Sequence, residues 1–313
     1  MLRWRGTSDV PGGWGRSVIT VGVFDGVHRG HQQLIGRAVA QARERDLPSV
    51  LVTFDPHPTE VIRPGHHPAQ LTTLARRAEL VSELGITAFC VLPFTPEIAR
   101  MPADEFAHEV LVERLHAAEV LVGDNFTFGR DAQGNVALLR QLGRRFGFAV
   151  EGLELISDTT DPGNGVTYSS TYIRSCIGSG EMGLAAEALG RPHRLEGVVV
   201  RGDRRGHELG FPTANLAPPA HAAVPADGVY ACWFNWKNSR HQAAVSVGTN
   251  PTFSGRQRTV EAYVLDVEED FYGHQVSLDF VERLRGMERY DSVEALVDQM
   301  NLDVERTREV LGR

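Results

Sequence analysis

Along the first half of the chain, short apolar runs rich in β-branched residues alternate with longer stretches of mixed polarity. Residues 18–24, 49–54, 88–94, 119–123 and 148–156 have the length and character of strands. Between them, residues 32–45, 74–84, 103–116 and 136–146 have helical length, and in the third Phe106, Val110 and Leu111 recur at helical spacing, as do Val112 and Leu115. Near-continuous apolar strands that alternate with helices predict parallel strands covered on both faces, the pattern of an open α/β sheet.

After about residue 185 the texture changes. Residues 195–200, 229–236, 242–247, 259–267 and 275–284 read as short strands punctuated by Gly and Pro turns, with helices scarce until the end. This predicts an antiparallel barrel or sandwich. Asp291 with Glu294 resembles a capping box opening a last helix through Val293, Leu296, Val297 and Met300. The junction is expected near 178–192, giving domains 1–185 and 186–313; a chain of 313 residues suits two domains at roughly 150 residues each.

Composition narrows the class. With 42% hydrophobic and 23% charged residues, the chain is neither disordered nor fibrous. Forty acidic against 32 basic residues give a net charge of −8, so no nucleic-acid or anionic-membrane partner is expected. Cys90, Cys176 and Cys232 form no CxxC pair, which points to a reducing cytoplasm rather than a disulfide framework. Residues 1–15 lack an apolar signal-peptide core and no run is apolar enough to span a membrane, so none is expected.

The segment Gly22-Val23-Phe24-Asp25-Gly26-Val27-His28-Arg29-Gly30-His31 ends a predicted strand and opens a predicted helix. A glycine-rich turn there offers backbone N–H groups and a positive dipole end to an anion. Gly30 permits close approach of a phosphate, and His28 and His31 can face one ligand across a helical turn. Zinc would need further ligands, and none stands at familiar spacing. Two plain surface histidines are the other reading; the Phe-Asp-Gly turn at a sheet's carboxyl edge weighs against it.

Four motifs in order, Phe-Asp-Gly-Val-His-Arg-Gly-His, Thr53-Phe-Asp-Pro-His57-Pro, Gly-Asp-Asn-Phe-Thr-Phe-Gly at 123–129 and Ser-Ser-Thr-Tyr-Ile-Arg at 169–174, resemble the bacterial bifunctional riboflavin kinase/FAD synthetase (FMN adenylyltransferase) family. The resemblance implies that His28 and His31 hold the ATP phosphates within a binding set of Gly22, Phe24, Asp25 and Gly30. It also implies that Asn125 positions phosphate or nucleotide, and that a mobile loop carrying Ser170, Thr171 and Arg174 grips pyrophosphate. Many relatives have Asp-Phe where this chain has Asn125-Phe126, and Arg where it has Tyr172, which removes a carboxylate and one candidate phosphate contact. His57, between two prolines, is open to two readings, a flavin contact or a structural turn; Asp25 equally caps the turn or touches ligand.

Gly202, Gly206 and Gly210 recur at four-residue spacing in a loop able to wrap a phosphate tail, though no Gly-Lys-Ser/Thr makes it a Walker A loop. Its ending, Pro212-Thr213-Ala214-Asn215, resembles the riboflavin kinase signature, in which Thr and Asn oxygens help hold Mg2+ with ATP; the oxygens of Thr213 and Asn215 suit a hard cation. Glu261 is a lone carboxylate in an apolar strand, hence at an edge, paired or functional. The resemblance makes it the base that takes the riboflavin hydroxyl proton, on a strand preceding Phe271-Tyr272-Gly273. Residues 280–287 resemble the family's flavin-contacting segment, with Arg283 and Met287 as contacts; core packing of Phe280 and Leu284, with Arg283 and Arg285 solvated, is the alternative.

The resemblance therefore implies an ATP- and magnesium-dependent enzyme of two steps. Riboflavin and ATP give FMN and ADP in the barrel, and FMN and ATP give FAD and pyrophosphate in the α/β domain. A chain with one degenerate site, and a flavin carrier without turnover, are the other hypotheses. The sequence assigns no oligomeric state.

Overall fold

The computed structural model describes residues 1–154, 167–202, 210–252 and 255–312, without the side chains of 249–257. The chain divides into two compact units, Met1–Pro68 with Leu74–Ser169, and Ala69–Thr73 with Ser170–Arg313.

The first unit is built on a parallel six-stranded sheet in the order β1-β4-β3-β2-β5-β8. Its strands are β1 (Leu2–Arg5), β2 (Ser17–Val21), β3 (Ser49–Asp55), β4 (Ala88–Pro93), β5 (Ala117–Gly123) and β8 (Ala149–Leu153); β6 (Thr127–Phe128) and β7 (Gly134–Asn135) pair separately. Helices α1 (Arg29–Glu44), α3 (Leu74–Glu83) and α6 (Val136–Phe146) pack against the sheet, and α2 (Pro58–Ile62), α4 (Pro96–Arg100) and α5 (Ala103–Glu105) are short turns. Successive strand residues point to opposite faces. Val50 and Val52 accordingly join the cluster with Phe106, Leu111 and Leu139, while Leu51 joins Ile35, Val39 and Val81 across the sheet.

Strand order reverses beside β2, since β3 and β4 lie on one side of it and β5 and β8 on the other. In open α/β sheets the crevice outside the carboxyl ends of strands at such a reversal receives ligands. The segments after β2 and after β5 are the two that border it.

Several expectations need correction. The strand predicted at 18–24 stops at Val21, because Phe24 takes a left-handed φ of 53° that ends extended pairing. The helix predicted over 103–116 is α5 followed by a π-helical turn set, Phe106–Arg114, and His116 at φ 49° terminates it. The N-terminal strand β1 carried no predicted element. Ser170 and Thr171, expected on a loop, open α7 (Ser170–Ser179), which α8 (Met182–Leu189) follows.

The second unit is a closed antiparallel barrel in the order β10-β13-β12-β11-β14-β9. Its strands are β9 (His193–Val200), β10 (Thr213–Ala217), β11 (Gly228–Trp236), β12 (Ser239–Thr252), β13 (Gly255–Val264) and β14 (Gln275–Arg285). Alternate residues Ala243, Val245 and Val247 of β12 and Val260, Ala262 and Val264 of β13 are buried, with Tyr230, Phe234 and Phe280 filling the remaining core. The last helix, α9 (Val293–Leu311), lays Val310 and Leu311 against Ala231, Trp233 and Leu284. Its N-cap is Ser292, whose hydroxyl accepts from Ala295 N at 3.1 Å. A capping box from Asp291 to Glu294 is therefore one residue out of register: the third helical position holds Ala295, which has no carboxylate to return the bond. Segment Ala69–Thr73 joins this unit through a Gln70–Ala222 bridge and a 2.6 Å hydrogen bond from Thr73 Oγ1 to Glu196 Oε2.

Candidate active sites

In the first unit the turn after β2 leads straight into α1. Phe24 at φ 53°, Gly26 at φ 86° and Val27 at φ 41° reverse the chain within four residues. Two of these are not glycine, and such strain persists where surrounding contacts over-determine it. A Cβ on Gly22 would lie 3.2 Å from the Phe24 ring, so glycine there makes room for that ring to fold back into the core.

His28 is the N-cap of α1, and its Nδ1 accepts from the backbone N–H of His31 at 3.4 Å. An accepting nitrogen carries no proton, so neutral His28 carries its proton on Nε2. The two imidazoles stack with centroids 3.6 Å apart and planes 21° from parallel. A Cβ on Gly30 would lie 3.2 Å from His28 Cε1, so glycine also leaves space for that ring. Burial, then the neighbouring His28, then the Arg77 guanidinium push the His31 pKa well down, so the stacked ring is held neutral. His31 Nδ1 is buried without a hydrogen-bond partner.

Arg77 of α3 lies outside all four motifs. Its buried guanidinium donates to Val23 O at 2.9 Å and Thr53 Oγ1 at 3.3 Å, and pairs with Asp25 Oδ1 at 3.4 Å. Asp25 thus sits under the turn, held by an arginine. The signal was present: Arg77 stands three residues after Leu74 and four before Val81, on the apolar stripe of the helix.

Asn125 is exposed on the turn that leaves β5, where Phe126 N bonds Gly123 O at 3.0 Å. Adjacent pairing of β2 and β5 places this turn and the His28 turn at neighbouring strand ends. His57, after β3, is the N-cap of α2, accepting from Thr59 N at 3.2 Å; Glu60 of the same helix pairs with His67 at 3.2 Å. Ser170, Thr171 and Arg174 group with the second unit, where Arg174 Nε donates to Ala69 O at 2.6 Å.

In the second unit, register brings three predicted residues onto one face. Asn215 of β10 is directly opposite Glu261 of β13, with Thr213 opposite Tyr263, and Ser246 of β12 flanks Glu261 on the other side. Opposed residues share a face, and this face is the reverse of the one packed into the barrel. Thr213 Oγ1 lies 3.5 Å from Glu261 Oε2. Gly202 abuts the Asn215 amide: a Cβ there would fall 2.5 Å from its Cγ. Gly210 adopts φ 85°, and Gly206 lies outside the described residues. Thr213 and Asn215 offer neutral oxygens beside a carboxylate, a donor set that fits a magnesium ion still largely liganded by phosphate and water.

Arg283, near the end of β14, and Met287, just beyond it, are both exposed. Arg283 Nη2 donates to Asp227 O at 2.6 Å, and a Cβ on Gly180 or Gly228 would each lie 2.8 Å from its side chain. The arginine is therefore wedged between α7 and the start of β11. Met287 Cε would lie 3.3 Å from a Cβ on Gly248. Phe280 is fully buried in the barrel core.

Comparison with known proteins follows this division. The family described as FAD synthetase matches residues 12–165, and the family described as riboflavin kinase matches 189–311. The chain is 33% identical over 296 residues to the bifunctional riboflavin kinase/FMN adenylyltransferase of Escherichia coli (strain K12), covering 94% of this chain and 93% of that protein. It is 34% identical over 292 residues to the protein of the same name from Pseudomonas fluorescens, covering 93% and 92%. A solved structure described as a macrolide-efflux protein from Streptococcus pneumoniae superposes with a TM-score of 0.88 at 32% identity, covering 98% of this chain and 99% of that one. With both family domains present in order and relatives matched over nearly their whole length, the chain belongs to the bifunctional riboflavin kinase/FMN adenylyltransferase family.

Proposed function

We infer that the chain makes flavin cofactors in two ATP-dependent steps, phosphorylating riboflavin to FMN in the second unit and adenylating FMN to FAD in the first. The observation that carries this reading is the Thr213–Asn215–Glu261 face, where a carboxylate stands beside two neutral oxygen donors in a family that phosphorylates a hydroxyl.

The riboflavin 5′-hydroxyl is a neutral nucleophile, so a positioned base accelerates its attack on the ATP γ-phosphorus. Glu261 accepts the hydroxyl proton as the new O–P bond forms and ADP departs. Thr213 and Asn215 would hold Mg2+, which when bound neutralises phosphate charge. The backbone at Gly202 and at Gly210 cradles the phosphate tail, and Arg283 and Met287 border the flavin.

FMN brings its own anionic phosphate, so its attack on the ATP α-phosphorus needs no base. Pyrophosphate leaves as the new P–O bond forms. The Nε2–H of His28, His31 and the N–H groups opening α1 stabilise charge on the α-phosphate and the leaving group. Asn125 and His57 complete the contacts to nucleotide and flavin within the first unit. Three unpaired, buried cysteines fit a reducing cytoplasm.

Incubating the purified chain with riboflavin, ATP and Mg2+ and separating the flavins tests both steps. FMN and then FAD should accumulate with ADP and pyrophosphate, and chelating the metal should stop the first step. Riboflavin left unchanged would sink the reading, and tight flavin binding without ADP release would indicate a carrier.

A further inference from the structure

The deeply buried charges under the first site are Arg77 and Asp25, whose side chains are 6% and 2% exposed. A buried ion pair is costly to desolvate and is weak evidence for stability, so its retention calls for another explanation. The contacts of Arg77 supply one. Its guanidinium reaches the Val23 carbonyl just before the reversal, the Asp25 carboxylate within it, and the Thr53 hydroxyl of the neighbouring strand β3. Thr53 Oγ1 itself donates to the same Val23 carbonyl at 2.9 Å. Strand β3 and helix α3 together hold the segment whose left-handed residues Phe24 and Val27 deliver His28 to the start of α1.

We propose that Arg77 is a positioning residue for adenylyl transfer, acting through Val23 and Asp25 to fix the turn that places His28, His31 and the N–H groups of α1 against the ATP phosphates. The assignment rests on the adenylyl-transfer reading above. A guanidinium suits the task because its planar fork of donors reaches three acceptors at once, whereas an ammonium is a single point of charge on a flexible stem. Arg77 touches neither nucleotide nor flavin in this scheme. Its effect is felt where alignment counts most, in the transition state. Displacement of reacting groups by about 1 Å is enough to cost on the order of 100-fold in rate.

The test uses the full chain carrying Arg77→Met or Arg77→Lys, with both activities measured on the same preparation. Arg77→Met is expected to lower kcat for FAD formation from FMN and ATP by about 30- to 100-fold with a smaller change in KM for ATP, following the cost of misalignment. Riboflavin phosphorylation should keep its wild-type kcat. Arg77→Lys should recover about tenfold of the loss, because a cation again faces Asp25. Should Arg77→Met fail to fold in the first unit, Thr53→Val removes the hydroxyl that donates to Val23 O and accepts from Arg77 while keeping side-chain shape, and a drop in kcat of about tenfold is expected from two lost hydrogen bonds.

Wild-type kcat for FAD formation in folded Arg77→Met or in Thr53→Val would overturn the assignment. Equal values for the Lys and Met variants would overturn it too, since a role in packing alone gains nothing from a restored charge. A wild-type chain that makes no FAD would overturn the adenylyl-transfer reading, and this assignment with it.

Discussion

Gly202 faces the side-chain amide of Asn215 so closely that a β-carbon at 202 would fall 2.5 Å from Asn215 Cγ. Any larger residue must push the amide off the face it shares with Glu261. Gly202→Ala is therefore expected to lower kcat for riboflavin phosphorylation by about tenfold, the effect of one misplaced polar contact of ~1.4 kcal/mol. FAD formation from supplied FMN should be unaffected. Steady-state assays of the two steps on one preparation check this.

Glu261→Gln keeps the shape of the side chain and removes its basicity. Loss of a general base costs about 10²- to 10⁴-fold. Phosphorylation of riboflavin should fall by that order while FAD formation from FMN continues. His28→Ala should do the reverse, leaving phosphorylation intact and reducing adenylation, because it removes both the Nε2 donor and the helix cap. If either change left its own step intact, that site assignment would be wrong.

His31 carries a pH signature. Its folded-state pKa lies well below the usual 6.5, chiefly through burial and then through His28 and Arg77. The unfolded chain therefore binds a proton more readily than the folded one between that lowered value and 6.5. Stability is complete above pH 6.5 and declines as pH falls through 6.5 toward the lowered value, by at most about 1.4 kcal/mol per pH unit from this group. His31→Gln should flatten that part of the profile, measured by denaturant unfolding between pH 7 and 5 on the order of one unit apart.

Arg285 holds Asp303 of α9 in a two-pronged pair, Nε to Oδ1 at 2.9 Å and Nη2 to Oδ2 at 2.7 Å. Asp303 is buried and Gln299 also donates to it at 3.0 Å. Asp303→Ala leaves the guanidinium half-buried beside an apolar gap. A loss of about 2–3 kcal/mol of barrel stability is expected, reduced from the fully buried case because Arg285 keeps some solvent. Chemical unfolding followed by the tryptophans of β11 would show it as a lower midpoint.

Much of this molecule is legible in its sequence because the signals are local. Helix α6 was expected over 136–146 and runs Val136–Phe146, since Asn135 caps it and Gly147 closes it in a left-handed conformation. Apart from β1, β10 and the two-residue β6 and β7, which carry no such signal, the strands of both units surface as apolar runs for the same reason. The Phe106–Arg114 segment reads in sequence as ordinary helix because apolar spacing does not distinguish α from π winding. Helices α7 and α8 were missed where short polar motifs and glycines masked a weak periodicity, and the cap of α9 slipped by one because Asp291 and Ser292 are both good capping residues.

By itself the sequence determined the two fold classes, the order of the phosphate-handling motifs and the family they resemble, because each depends on periodicity or on residues adjacent in the chain. Only the tertiary structure decided which distant residues meet. It set Asn215 opposite Glu261 through strand register, made Gly202 the space that Asn215 occupies, and slid Arg77 beneath Asp25 from a helix about fifty residues away. Register and burial arise from cooperative packing of the whole unit, and no local pattern encodes them.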